Sequence, residues 1–153
     1  EIPLRLVGSE MCIRDSNYST SNQVVVVKNG SNIRDVNNID GKKIAVQLGS
    51  VADTYVTSNF KNSEIVREKK YLAAIQDLKD GKADAVVMDE LPAKEMVKNN
   101  NDIMILSGNL ASDSYGMVVK KGNTKLLNTI DKVLNRLKED GKIDKYVINH
   151  TTE

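Results

Sequence analysis

Short runs of β-branched and other apolar residues alternate along this chain with stretches in which apolar residues recur every three or four positions. Six runs are too short for helices and are bounded by turn-forming residues, so each predicts a strand. They span residues 23–28, 42–46, 65–66, 83–88, 102–106 and 115–120. Strands that alternate with helices through short connections indicate an α/β fold with a mostly parallel, doubly wound sheet.

Helix boundaries between these runs are marked by capping residues. Ser50, with Asp53 three residues later, approximates a capping box and predicts a helix that begins there. A second helix, with Leu72 and Leu78 on its apolar face, is expected to end at Gly81. Near the C-terminus a strong amphipathic pattern predicts a longer helix. Its apolar positions are Leu127, Ile130, Val133, Leu134 and Leu137.

Composition narrows the possible functions. The 153 residues are 40% hydrophobic and 28% charged, with 22 basic and 21 acidic side chains, as in a soluble globular domain. No apolar run approaches the roughly 20 residues of a membrane helix, and no Lys/Arg cluster indicates a nucleic-acid partner. One cysteine and one histidine argue against a Cys/His zinc site and a Ser-His-Asp arrangement. We therefore predict no metal, no cofactor and no catalytic residue.

The first sixteen residues differ in character from the rest of the chain. Residues 11–16, Met-Cys-Ile-Arg-Asp-Ser, resemble one reading frame of the adapter used to prepare sequencing libraries. Residues 1–16 also lack the apolar core of a secretory signal. We expect this segment to be non-native and the native sequence to begin near Asn17.

Candidate chemistry lies after two of the predicted strands. In open α/β sheets, ligands bind beyond the carboxyl ends of the strands, where helix N-termini present N–H groups. Gln47, Ser50 and the Val51 amide follow the strand at 42–46 and suit an anion, whereas Asp89 follows the strand at 83–88 and suits a cation. Ser50 and Asp89 are equally placed to act only as helix N-caps, and Gln47 is either a pocket side chain or a solvated turn residue.

Four segments, residues 18–23, 41–50, 77–89 and 114–123, resemble the extracytoplasmic solute-binding proteins of ABC importers, in the polar amino-acid branch. The resemblance implies a periplasmic-binding-protein-like clamp of two lobes with the ligand between them. It assigns Ser50 and the Val51 amide to the α-carboxylate of an amino acid, Asp89 to its α-ammonium group and Gln47 to its side chain.

The resemblance also implies a domain organisation. Residues 17–28 would form the hinge crossing, 29–113 the ligand-binding lobe two, and 114–153 the return strand and the C-terminal helices that pack on lobe one. Most of lobe one has no counterpart in the sequence.

The function implied is delivery of a polar amino acid to a membrane-embedded ABC permease by a periplasmic protein or cell-surface lipoprotein. The expected protein is not an enzyme. Two alternatives stay open: an enzyme on the same scaffold, such as a dehydratase or a lytic-enzyme domain, and the ligand-sensing domain of a receptor.

Overall fold

A computed structural model describes residues 11–151, and the side chains of residues 19–150, as an alternation of strands and helices. The elements are β1 (Met11–Lys28), a short 3-10 helix (Val36–Ile39), β2 (Lys43–Gln47), α1 (Val51–Asn59), β3 (Glu64–Glu68), α2 (Tyr71–Asp80), β4 (Ala85–Asp89), α3 (Glu90–Lys98), β5 (Ile103–Ile105), β6 (Ala111–Lys120), α4 (Thr124–Glu139) and α5 (Lys142–Thr151).

The strands form one mixed sheet in the order β3-β2-β4-β1-β5, with β6 also paired to β1. Strand β2 runs parallel to β3 and β4, whereas β1 runs antiparallel to both β4 and β5. Strands β2 to β5 therefore share one direction, and β1 lies among them in the opposite one. The predicted α/β class is confirmed, and the antiparallel β1 is a feature that the sequence pattern did not reveal.

The valines of β1 explain why this strand is central. Val24 and Val26 face a buried cluster that includes residues of α2 and α3, while Val25 and Val27 face a second cluster with residues of α1 and the 3-10 helix. All four are at most 2% exposed. A strand covered on both faces needs apolar side chains at every position. The helices on either face of the sheet agree with the doubly wound arrangement.

Helix α2 shows how the apolar pattern was misread at one position. Its buried face consists of Tyr71, Ala74, Ile75 and Leu78, whereas Leu72, which we predicted to be buried, is 58% exposed. Leu72 lies one position from Tyr71, and adjacent helical positions point 100° apart. The aromatic ring of Tyr71 occupies the core in its place.

Contacts divide the chain into two compact units. One contains residues up to Ser21 together with Asp113–Tyr146, and the other contains Asn22–Ser112 with residues from Val147 onward. Helix α4 belongs to the former; its Leu127 and Leu134 are buried, whereas Val133 is 40% exposed. The lobe and hinge assignment stays a prediction.

The segment expected to be non-native is only partly described. Residues 1–10 lie outside the described residues, and β1 begins at Met11, well before the strand predicted from residue 23. Across the described residues, no helix combines the length and apolar character that a membrane crossing requires.

The glycine that ends α2 provides a test of the helix assignment. Gly81 has a φ of 76°, and the nearest neighbour of an added Cβ would be Lys28 Nζ at 4.0 Å, so a substitution meets conformational strain instead of a clash. Gly81→Ala should lower the free energy of unfolding by about 1–2 kcal/mol in urea denaturation. Gly81→Asn should cost clearly less, because asparagine visits this conformation more readily. Equal losses for the two variants would contradict this explanation.

Candidate ligand-binding site

Strands β2 and β4 bring the predicted site residues to one end of the sheet, within the unit that contains Asn22–Ser112. Gln47 ends β2, Asp89 ends β4, and these adjacent strands are parallel. Because β1 is antiparallel to β4, its residue Gln23 pairs with Asp89 and lies at the same edge. Ser50 and Val51, at the start of α1, follow β2 after a short turn.

Asp89 is held by two side chains from different elements. Its Oδ1 accepts a hydrogen bond of 2.7 Å from Gln23 Nε2, and its Oδ2 accepts one of 2.8 Å from the Tyr71 hydroxyl. Although Asp89 occupies the N-cap position of α3, its side chain makes no capping hydrogen bond. The prediction that Asp89 is only a helix cap is therefore wrong. Its half-buried carboxylate is held by Gln23 and Tyr71 at the carboxyl end of β4.

Gln23 is the most deeply buried polar residue described, at 1% exposed. Its Nε2 reaches Asp89, but in the described part of the chain no donor reaches its Oε1, which is also buried. The carboxylate of Asp89 can only accept, which fixes which amide atom faces it. A buried acceptor without a partner costs about 1–3 kcal/mol, so this residue is not explained by fold stability alone.

Ser50 is the N-cap of α1, as predicted. Its Oγ accepts a hydrogen bond of 3.2 Å from Asp53 N, and its carbonyl accepts from Thr54 N. The Oγ acts here as an acceptor, so the hydroxyl hydrogen stays available to a further acceptor. Capping and ligand binding are compatible at this residue. The N–H groups of Val51 and Ala52 belong to the first turn, which has no intrahelical acceptor for them.

The loop before α1 is braced by Asp53. Its Oδ2 accepts from Gly49 N at 3.0 Å, and its Oδ1 accepts from Thr57 Oγ1 and, at 2.9 Å, from Arg67 Nε. Arg67 also donates to Thr57 Oγ1. This is a variant of the predicted capping box, because the acidic side chain bonds to the residue before the N-cap.

These contacts set the protonation of Asp53. Burial alone would raise the pKa of Asp53, but the hydrogen bonds from Gly49, Arg67 and Thr57 and the positive charge of Arg67 outweigh burial and lower this pKa below its ordinary value. Asp53 therefore stays ionised at neutral pH, and the neighbouring guanidinium offsets its negative charge.

Gln47 lies beside this loop. Its side chain is half-buried, and its Nε2 donates to the carbonyl of Lys69 at 3.1 Å, across to the segment between β3 and α2. Gln47 is thus neither a free turn residue nor a core residue. Its Oε1 is an acceptor that can serve a neighbouring donor.

A second polar network lies next to Asp89. Asn22 Nδ2 donates to Glu90 Oε2 at 2.6 Å, Ser112 Oγ donates to Asn22 Oδ1, and Lys94 pairs with Glu90 Oε1. Hydrogen bonds from Lys94 and Asn22 lower the pKa of Glu90 against the effect of burial. Both carboxylate oxygens of Glu90 are therefore bonded within the protein, to Asn22 and Lys94.

Two residues of this edge, Gln23 and Tyr71, were missed by the sequence reading. The pattern placed Gln23 in a strand, and the only signal of a special role was an amide at the start of a four-valine run. Tyr71 was not predicted as a site residue, because an aromatic residue is typical of the buried face of a helix. In the ranges that the structure describes, no group of three or more His, Cys, Asp or Glu side chains could hold a metal ion.

An oriented carboxylate and a capped helix start at one sheet edge are features of a binding site for a small polar molecule, and the α/β fold is one that binding proteins use. The chain belongs to the bacterial extracellular solute-binding proteins, family 3, whose pattern matches residues 13–152. This membership confirms the predicted class, because the family consists of solute-binding proteins and not of enzymes.

Similar proteins agree with this membership. The L-cystine-binding protein TcyJ of Escherichia coli is 28% identical over 129 residues, which cover 82% of this chain and 48% of TcyJ. The P235GK mutant of ArgBP from T. maritima is 37% identical with a TM-score of 0.70, over 93% of this chain and 62% of that one. AbpA from Streptococcus pneumoniae, bound to L-arginine, is 34% identical with a TM-score of 0.71, over 90% and 59%. The chain thus spans about half the length of its curated relative TcyJ.

The braced loop predicts a pH dependence of stability. Because the pKa of Asp53 is lower in the folded state, its contribution to stability is present above the unfolded pKa, near 3.9, and is lost as pH falls through the folded value. Asp53→Asn should lower the free energy of unfolding at pH 7 by about 1–3 kcal/mol.

The difference between Asp53→Asn and wild type should begin to shrink below about pH 4, where Asp53 of the unfolded chain takes up a proton, and should be lost as pH falls through the lower folded pKa. Denaturant titrations from pH 2.5 to 7 measure it. A constant difference over that range would contradict the charge-based bracing of the loop.

Proposed function

We propose that the protein containing this chain binds a polar amino acid outside the cytoplasm and delivers it to an ABC permease. The observation that carries the proposal is the Asp89 carboxylate, which is oriented by Gln23 and Tyr71 and not by the helix that it precedes. A carboxylate held in this way is a receptor for a cation, and every free amino acid carries an α-ammonium group.

Asp89 receives the α-ammonium group in this proposal. A carboxylate oxygen can accept more than one hydrogen bond, so an ammonium group can bind Asp89 while the bonds from Gln23 and Tyr71 are kept. The hydrogen bond is charge-assisted, which makes it shorter and stronger than a neutral one.

The α-carboxylate binds at the start of α1. Ser50 offers its hydroxyl hydrogen, and the Val51 N–H lies in the first turn, where the helix dipole favours an anion. Asp53 in the same turn would repel an anion, but its ion pair with Arg67, at 2.9 Å, compensates for much of that charge. The loop is in this way prepared for an anion in spite of its acidic residue.

Gln47 faces the ligand side chain in this proposal and contributes to selectivity. Its amide can accept or donate to a polar side chain, and its position at the end of β2, three residues before Ser50, supports this role. The similar proteins are named for or bound to different amino acids, cystine and arginine, so we propose the class of polar amino acids and no single member.

The remaining parts of the proposal concern the whole protein. Membership of an extracellular family supports a periplasmic or cell-surface location, with a lipid anchor as the surface form. The permease partner follows from the importer systems to which such proteins deliver their solutes. Closure of two lobes around the amino acid would signal the loaded state to the permease.

Asp89→Asn tests the ammonium site. In the complete gene product, the variant should weaken amino-acid binding by roughly tenfold to a hundredfold, since a hydrogen bond to a charged group contributes about 1.5–3 kcal/mol. Isothermal titration calorimetry measures the affinity. Asp84→Asn is the matched control, because Asp84 lies directly before β4, away from Asp89, and accepts a hydrogen bond from Lys43 N. Equal affinity for Asp89→Asn and wild type would refute the ammonium role.

Ser50→Gly separates ligand binding from helix capping. Glycine preserves most of the capping free energy, within a few tenths of a kcal/mol, but removes the hydroxyl. We expect affinity to fall about tenfold or more with little change in melting temperature. Asn123→Gly, which removes the capping side chain of α4, is the control. A fall in melting temperature with unchanged affinity would show that capping is the whole role of Ser50.

A further inference from the structure

The hydrogen bonds around Asp89 assign a role to two residues beyond those that contact the amino acid. We propose that Gln23 and Tyr71 are positioning residues, which hold the Asp89 carboxylate in the orientation that receives the ligand's α-ammonium group. This inference rests on the proposed function and deepens it.

The two donors bond to different oxygens of the Asp89 carboxylate. Gln23 Nε2 bonds to one carboxylate oxygen at 2.7 Å and the Tyr71 hydroxyl to the other at 2.8 Å. The donors come from two different elements, β1 and α2. With one donor on each oxygen, the carboxylate plane is fixed, which a single hydrogen bond would not achieve.

Both donors are themselves held in place by packing and by strand pairing. Tyr71 is 3% exposed and belongs to the buried cluster between the sheet and α2 and α3, so its ring is anchored and its hydroxyl is aimed at the sheet edge. Gln23 is 1% exposed and lies directly opposite Asp89 in the antiparallel ladder between β1 and β4. Preorganised donors of this kind reduce the ordering that binding would otherwise require.

Gln23 also carries a buried polar atom that lowers the stability of the fold. Its Oε1 is buried, and no donor among the described residues reaches it. Methionine, of similar length and shape, would fill the same space without a buried unpaired acceptor. The penalty of the unpaired Oε1 offsets much of the stability that the bond from Nε2 to Asp89 contributes, so the orientation given to Asp89 accounts for the amide better than stability does.

The test uses the complete gene product and compares Gln23→Met and Tyr71→Phe with wild type. The twenty standard L-amino acids and L-cystine are first screened by calorimetry with wild type. The amino acid that binds best is then compared with its deamino analogue, the same acid with hydrogen in place of the α-amino group, by NMR titration at millimolar concentration. Gln76→Met and Tyr55→Phe are matched controls: Gln76 makes an exposed hydrogen bond to Asp80, and Tyr55 packs on Phe60.

We expect each positioning variant to weaken binding of the amino acid by about threefold to thirtyfold, and to change binding of the deamino analogue by less than twofold. The melting temperature of Gln23→Met should change little, because the lost hydrogen bond to Asp89 is offset by removal of the unpaired buried acceptor. Both controls should bind like wild type.

Three results would overturn the inference. If wild type binds none of the screened amino acids, the proposed function fails and the inference fails with it. If wild type binds one and both variants bind it equally well, the inference alone fails. If the variants lose the amino acid and the deamino analogue to the same extent, Gln23 and Tyr71 have a merely structural role.

Discussion

The antiparallel pairing of β1 with β4 is the constraint on which the site depends. It places Gln23 opposite Asp89, at the edge where the parallel strands β2 and β4 end. A parallel β1 in the same place would bring its other end to this edge, and the Asp89 carboxylate would lose the donor on its Oδ1. The topology therefore fixes the direction of the Asp89 carboxylate, which makes no capping hydrogen bond to α3.

Electrostatic compensation shapes the second part of the site. The first turn of α1 contains Asp53, a carboxylate that would oppose an anionic ligand. Arg67 from β3 pairs with it, and the Gly49 N–H is taken up by the same carboxylate. One ion pair thus orders the loop and offsets its charge, next to the Ser50 hydroxyl and the Val51 amide that are proposed to bind a carboxylate.

Local pattern was sufficient for much of this structure. Every predicted strand is present, and the Ser50 cap and the Gly81 helix end were predictable because capping depends on residues adjacent in sequence. Gln23 and Tyr71 were not predictable as partners of Asp89. They lie 66 and 18 residues from it, and strand order, which a periodicity argument does not give, brings the first of them to it. Leu72 was wrongly predicted on the buried face of α2 because Tyr71 and Leu72 are adjacent, and only Tyr71 lies on that face.

The central claim is that Asp89, oriented by its two donors, holds the α-ammonium group of an amino acid. A crystal structure of the complete gene product, grown with the amino acid that binds best, tests it most directly. The account predicts the ligand nitrogen at about 2.7–3.2 Å from an Asp89 oxygen, with the bonds from Gln23 and Tyr71 retained and the ligand carboxylate at Ser50 and Val51. A bound amino acid whose nitrogen lies away from Asp89 would contradict the account.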